Sequence, residues 1–196
     1  MVCEHQRGAK AIGDWRAAWI TEIKRGDGAG AAGVPDDPDE CFERGLALEE
    51  DERYIDAATW YRRAIGLAPG WAEAHFNLAN VLRMLERDEG AEEVYHLAVE
   101  LDPSNELAWY NLADVQEEDG RLEAAAASLG AALRACPAFS DAHFNLASCL
   151  EQLGDQAGAR RHWSAYLRLD PDSEWATIAR DHLRRHTSDT NDEDRR

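Results

Sequence analysis

The chain punctuates itself with proline at a fixed interval. Pro69, Pro103, Pro137 and Pro171 stand 34 residues apart in turn. The segments between them repeat as well. HFNLA at 75–79 returns as WYNLA at 109–113 and again as HFNLA at 143–147. Ala57, Ala91, Ala125 and Ala159 keep one phase, and residues 72–103 match 140–171 at 13 of 32 positions. Such a period imposes a repeat architecture. A single unit cannot bury its own apolar face, so stacked neighbours must bury it.

Each unit reads as two helices. Leu78, Leu82 and Leu85 form an i, i+4, i+7 stripe, and Val94, Leu97, Ala98 and Leu101 form another. The second stripe stops at Asp102-Pro103, since proline cannot continue a helix. Gly120 and Gly154 close first helices of the later units, where a left-handed cap is needed. No segment alternates with period two, so strands have no support. The pattern predicts helices at 39–51, 54–67, 72–85, 88–101, 106–119, 122–135, 140–153 and 156–169.

Small residues recur where paired helices must approach. Gly45, Ala79, Ala113 and Ala147 mark first helices, opposite the Ala57 series on second helices. Tyr61, Tyr95, Leu129 and Trp163 fill the adjoining space. This combination resembles the tetratricopeptide repeat family: a bulky residue, then leucine and a small residue, then alanine, an aromatic, alanine and proline. The resemblance covers 38–171 and implies an all-α solenoid, a right-handed superhelix of antiparallel helix pairs. Its units are 38–71, 72–105, 106–139 and 140–171. Two departures mark the end units: Arg44 stands where leucine is expected, and Tyr166 where a small alanine is.

The flanks differ from the repeats. Residues 1–37 comprise an amphipathic helix, with Ile12, Trp15, Trp19 and Ile23 at helical spacing, and a Gly/Pro/Asp linker. That helix either docks on the first repeat or binds a partner or the chain's own acidic groove. Residues 172–186 read as a capping helix, with Ser173 as N-cap and Trp175, Ile178, Ala179 and Leu183 as its buried stripe. The polar segment 187–196 reads as a disordered acidic tail.

Charge narrows the range of partners. Lys plus Arg total 21 and Asp plus Glu 39, a formal charge of −18. That field repels phosphate backbones, so no direct nucleic-acid partner is expected. No uncharged apolar run approaches the roughly 18 residues of a membrane span. The first ten residues show no signal-peptide core, and the four cysteines form no C-x-x-C pair, so a cytoplasmic setting with reduced thiols is expected.

Motifs with a chemical look lose it in context. Gly28, Gly30 and Gly33 spell G-x-G-x-x-G, but Val34-Pro35 follows where a dinucleotide site needs a helix. Arg25-Gly26-Asp27 is a chance tripeptide. His182 and His186 lie four apart, with no further metal ligand near them in sequence. His75 and His143 share the slot of Trp109 and read as packing. No nucleophile elbow, P-loop or H-E-x-x-H is present, so neither an enzyme nor a cofactor or metal site is expected.

First helices of a solenoid line its concave side, so shared phases form ladders there. One phase holds Phe42, Phe76, Tyr110 and Phe144, and the next Glu43, Asn77, Asn111 and Asn145. Nearby phases hold Asn80, Asp114 and Ser148, then Arg83, Glu117 and Glu151. An amide offers donor and acceptor together, which matches an extended peptide backbone. The asparagine phase resembles the peptide-binding superhelix of O-linked N-acetylglucosamine transferases, which implies that Asn77, Asn111 and Asn145 grip backbone. A structural role for them is the competing reading. The basic clamp of the chaperone-binding members is missing.

The expected peptide-binding set is therefore Phe42, Phe76, Asn77, Asn80, Tyr110, Asn111, Asp114, Glu117, Phe144 and Asn145. Its ligand would be an extended peptide with Lys or Arg and an apolar anchor, bound by an adaptor or scaffold. The alternative is a regulatory module of a bacterial transcription-regulator complex. Residues 162–183 are loosely similar to repeat-array ends in regulators of the MerR type. Self-association through solenoid ends is a further expectation.

Overall fold

The computed structural model describes residues 36–86 and 88–193. The expected helix at 10–25, the glycines 28, 30 and 33, and Cys3 lie outside them. Among the described residues every regular element is a helix. The chain divides into two compact units, one through Arg87 and one from Asp88. The division falls inside the second sequence repeat, between its two helices.

The first unit holds α1 (Pro38–Glu50), α2 (Tyr54–Leu67) and α3 (Ala72–Met84). Pro38 starts α1 one residue before the predicted start, with Asp37 as N-cap accepting the Asp39 N–H at 2.9 Å. Proline suits a first helical position because its missing N–H would be unpaired there anyway. The second unit holds α4 (Asp88–Leu101), α5 (Glu106–Glu118), α6 (Leu122–Ala135), α7 (Ser140–Gln152), α8 (Gln156–Leu169) and α9 (Glu174–Glu193). The second helices α2, α4, α6 and α8 have the spans the sequence predicts.

First helices stop one residue earlier than predicted. Asp51, Leu85, Asp119 and Leu153 are their C-caps. The next residue then turns left-handed, with φ of 58° at Glu52, 55° at Glu86, 72° at Gly120 and 83° at Gly154. Glycine enters that region without a steric penalty. Glu52 and Glu86 carry the strain of a Cβ there.

Close approach explains the small residues. Ala57, Ala91, Ala125 and Ala159 are fully buried, as are Ala79 and Ala147. A Cβ on Gly45 would stand 2.5 Å from Cε1 of the buried Tyr61 ring, so α1 and α2 pack only around a glycine. Tyr61, Tyr95, Leu129 and Trp163 are among the largest fully buried side chains. Burying each such side chain contributes roughly 1.5–3 kcal/mol.

The slot shared by His75, Trp109 and His143 has a defined job. Each ring nitrogen bonds the carbonyl of the periodic proline six positions earlier. His75 Nε2 reaches Pro69 O at 3.0 Å, Trp109 Nε1 donates to Pro103 O at 3.1 Å, and His143 Nε2 reaches Pro137 O at 3.2 Å. His143 also meets His162, with Nδ1 atoms 2.9 Å apart. Arg44, the departure in the first unit, lies with its guanidinium carbon 4.9 Å from the Trp60 ring centroid and pairs with Glu40.

Two buried thiols sit in different units. Cys41 belongs to α1 and Cys149 to α7. Burial pushes the Cys41 thiol up despite Arg63 beside it, and pushes Cys149 up to about 12 with help from the Glu117 charge.

The closing helix differs from its expected form in two ways. It continues to Glu193, through residues expected as tail, because no Gly or Pro interrupts 187–193. Its buried face is built on Ala176 and Ala179 with Leu183 beside them, against Trp163 and Tyr166. Trp175 and Ile178 are 54% and 40% exposed. Alanines let the helix approach the large rings of α8, and that register turns Trp175 and Ile178 outward. Ser173 caps the helix as predicted, its Oγ accepting the Ala176 N–H at 3.2 Å. His182 stacks on Trp163 at 4.8 Å, and the Glu151 carboxylate bonds both His182 Nδ1 at 2.7 Å and the Trp163 indole N–H at 3.3 Å.

Candidate functional site

In the first unit the expected residues lie on α1 and α3. Phe42 is 6% exposed and packs between Tyr61 and Trp71, with centroids 5.5 and 4.5 Å away. Its ring therefore serves the core. Phe76, Asn77 and Asn80 are half-buried on α3. The Tyr61 hydroxyl donates to Glu49 at 2.6 Å and accepts from the Asn77 amide. Burial first, then the Glu49 bond and charge, raise the Tyr61 hydroxyl far above the usual phenol range.

The second unit brings more of the set together. Tyr110, Asn111, Asp114 and Glu117 lie on α5, and Phe144 and Asn145 on α7, all half-buried. Asn145 Nδ2 donates to the Tyr110 hydroxyl at 3.0 Å. Two asparagines of the ladder thus hold a tyrosine hydroxyl: Asn77 holds Tyr61, and Asn145 holds Tyr110. Burial raises the Tyr110 hydroxyl, and the charges of Asp114, Asp141 and Glu117 add to it. Burial also raises the Glu117 carboxyl, against a hydrogen bond from Cys149, with Asp114 and Glu118 adding repulsion. This face is acidic and partly dry.

A cleft of about 320 Å³ opens beside it, lined by Tyr110, Asp141, Phe144, Asn145, Tyr166 and Trp175. The Phe144 ring meets Trp163, Tyr166 and Trp175 nearly edge-on, at 4.8, 5.2 and 5.5 Å. The Tyr166 hydroxyl is fixed by Asp170 at 3.0 Å and Ser173 at 2.8 Å. Tyr166 and Trp175 stand outside the groove expected from the sequence. Tyr166 carried a signal, as a large ring at a position suited to alanine. Trp175 carried none, because the stripe assigned to the closing helix places it inside. Another cleft, of about 400 Å³, lies on α1 and α2 of the first unit, around Arg44, Arg53 and Trp60.

No described group of three or more His, Cys, Asp or Glu side chains is arranged to hold a metal ion. No described helix is long and apolar enough to cross a membrane.

Comparison with known proteins supports the repeat reading. Family models described as tetratricopeptide repeat match residues 98–138 and 110–174, and residues 72–115. No curated protein matches the chain significantly. Solved structures share the fold. MamA superposes with a TM-score of 0.70 at 16% identity, covering 79% of this chain and 82% of that one. YrrB, a TPR protein with an unusual peptide-binding site, gives 0.70 at 18% identity, covering 89% and 84%. PilF of Pseudomonas aeruginosa gives 0.62 at 23% identity, covering 79% and 69%. The matched segments together span 72–174, more than half of the chain, and it belongs to the tetratricopeptide repeat family.

Proposed function

We propose that the chain is an interaction adaptor that holds an extended peptide, basic with an apolar anchor, against its first helices. The observation that carries this reading is the face of α5 and α7. Half-buried Tyr110, Phe144 and Asn145 stand there beside the carboxylates of Asp114, Glu117 and Asp141. Apolar rings supply contact area, and the carboxylates favour a cationic ligand. Asn145 gives an amide proton to Tyr110, which leaves its carbonyl oxygen to accept a peptide N–H. Phe76, Asn77 and Asn80 offer the same residue types in the first unit.

The test is an array of short peptides graded in net charge, read with the whole chain and two variants. Asn145→Ala removes both the internal bond and the ligand contact, whereas Tyr110→Phe removes the internal bond alone. Basic peptides are expected to bind, to weaken with Asn145→Ala and to persist with Tyr110→Phe. Equal weakening by both variants would make Asn145 structural, and selection of acidic peptides would overturn the reading.

A further inference from the structure

The cleft on α5, α7, α8 and α9 has a composition that the peptide reading alone does not require. Its walls are four aromatic rings, Tyr110, Phe144, Tyr166 and Trp175, one from each helix. Beyond the tyrosine hydroxyls its polar lining is Asp141 and Asn145, and among the described residues no cationic side chain lines it. We propose that this cleft receives one arginine side chain of the bound peptide, stacked on the Trp175 face with its guanidinium turned to Asp141 and Asn145. The inference rests on the peptide-binding reading and names the residue that the cleft selects.

Three features favour a cation. Aromatic faces carry negative potential and attract a cation lying over them, most strongly at tryptophan. The Asp141 carboxylate acts on both the Tyr110 and Tyr166 hydroxyls, so its field spans the cleft. Asp141 accepts the Ser140 hydroxyl at 3.2 Å, and a neutral apolar anchor would leave its charge without a cation in the cleft. The rings are also held in place: Phe144 is packed edge-on by its neighbours, and Tyr166 is bonded to Asp170 and Ser173. Fixed walls spare the ligand much of the ordering cost.

Geometry favours arginine over lysine. Asp141 and Asn145 are four apart on α7, so their side chains neighbour each other on one helix face. The bond to Tyr110 fixes the Asn145 amide, with its nitrogen committed and its carbonyl available beside the carboxylate. A planar guanidinium has donors enough for two adjacent acceptors while its face lies on an indole. An ammonium is a compact point charge that holds its water more strongly.

The probes are capped pentapeptides of sequence Ala-Ala-X-Leu-Ala, with X as arginine, lysine, citrulline or norleucine, titrated into the whole chain. The readout is the indole N–H resonance of Trp175, assigned with Trp175→Phe, with the Trp60 indole as internal control. Arginine is expected to move the Trp175 signal and leave Trp60 still. Lysine should bind more weakly, and citrulline and norleucine at least ~10-fold more weakly. Asp141→Asn, at an exposed position, should lower arginine affinity ~10-fold and erase the preference over citrulline, with unchanged helicity checked first. An unmoved Trp175 signal with the arginine peptide at millimolar concentration overturns the proposal. Equal response to citrulline, a preference for lysine, or indifference to Asp141→Asn does the same. Binding on the array that needs Asn145 but neither Asp141 nor Trp175 overturns it while leaving the peptide reading intact.

Discussion

Glu49, Glu117 and Glu151 hold one phase of the repeat, in the last turn of α1, α5 and α7. Glu49 accepts from the Tyr61 hydroxyl and Glu151 from the Trp163 indole. The residue of that aromatic phase beside Glu117 is Leu129, which has nothing to donate. Glu117 takes a bond from Cys149 instead, and its carboxyl is raised chiefly by burial. A raised carboxyl contributes stability below its unfolded value, and that contribution is lost as pH rises through the folded value. Glu117→Gln should therefore raise the melting temperature at pH 7, with the gain vanishing near pH 4, as thermal unfolding at both pH values would show. If Glu117 meets a cationic ligand, the same change weakens binding, so stability and affinity move in opposite directions. Glu52 presents a simpler case. Its φ of 58° is unfavourable for any residue with a Cβ. Glu52→Gly relieves that strain but adds freedom to the unfolded chain, for a net gain of about 0.5–1 kcal/mol measurable by urea titration. The sequence displays Gly120 and Gly154 as left-handed caps. At the same phase Glu52 and Glu86 give no such sign, because glutamate is a good helix former and looks like one more helical residue.

Helix pairs are where the sequence is most readable. The spans of α2, α4, α6 and α8 follow from alanines and prolines in phase, and the small-residue ladder lies where packing demands it. The closing helix is less readable. Its largest apolar residues suggest the buried side, yet the contact is made through Ala176 and Ala179 and fixed by the stack of His182 on Trp163. Hydrophobic size misleads when close approach is worth more than area. That is why the outer wall of the aromatic cleft was invisible in the sequence, while the rings of α5 and α7 were not. The pair α5–α6 contains one polar exception. Gln116 and Ser128 are buried and bonded at 2.8 Å, at phases where α3 and α4 carry Leu82 and Val94. Gln116→Leu or Ser128→Val alone strands a buried polar group and should cost ~1–3 kcal/mol. The double change restores the apolar pair and should be near neutral, a coupling that a double-mutant cycle in urea would measure.

At the scale of the whole chain, charge dominates. A formal charge of −18 repels itself in any compact state, and screening extends over ~8–10 Å at ordinary salt. Raising salt from low to moderate levels should raise the melting temperature by relaxing that repulsion. The same change should weaken a basic peptide, since its attraction is screened too. Scanning calorimetry and peptide titration on one salt series would show the two trends crossing, and binding that ignores salt would remove the electrostatic part of the reading. The two buried thiols add another handle. Cys41 lies in one compact unit and Cys149 in the other, and both are kept protonated by burial. A thiol reacts as its thiolate, so neither is open to alkylating reagents until its helix lifts away. With Cys3 and the half-buried Cys136 replaced by serine, the alkylation rates of Cys41 and Cys149 become two separate clocks for opening. Equal rates would mean that the repeats open as one body, and unequal rates that the array comes apart in stages.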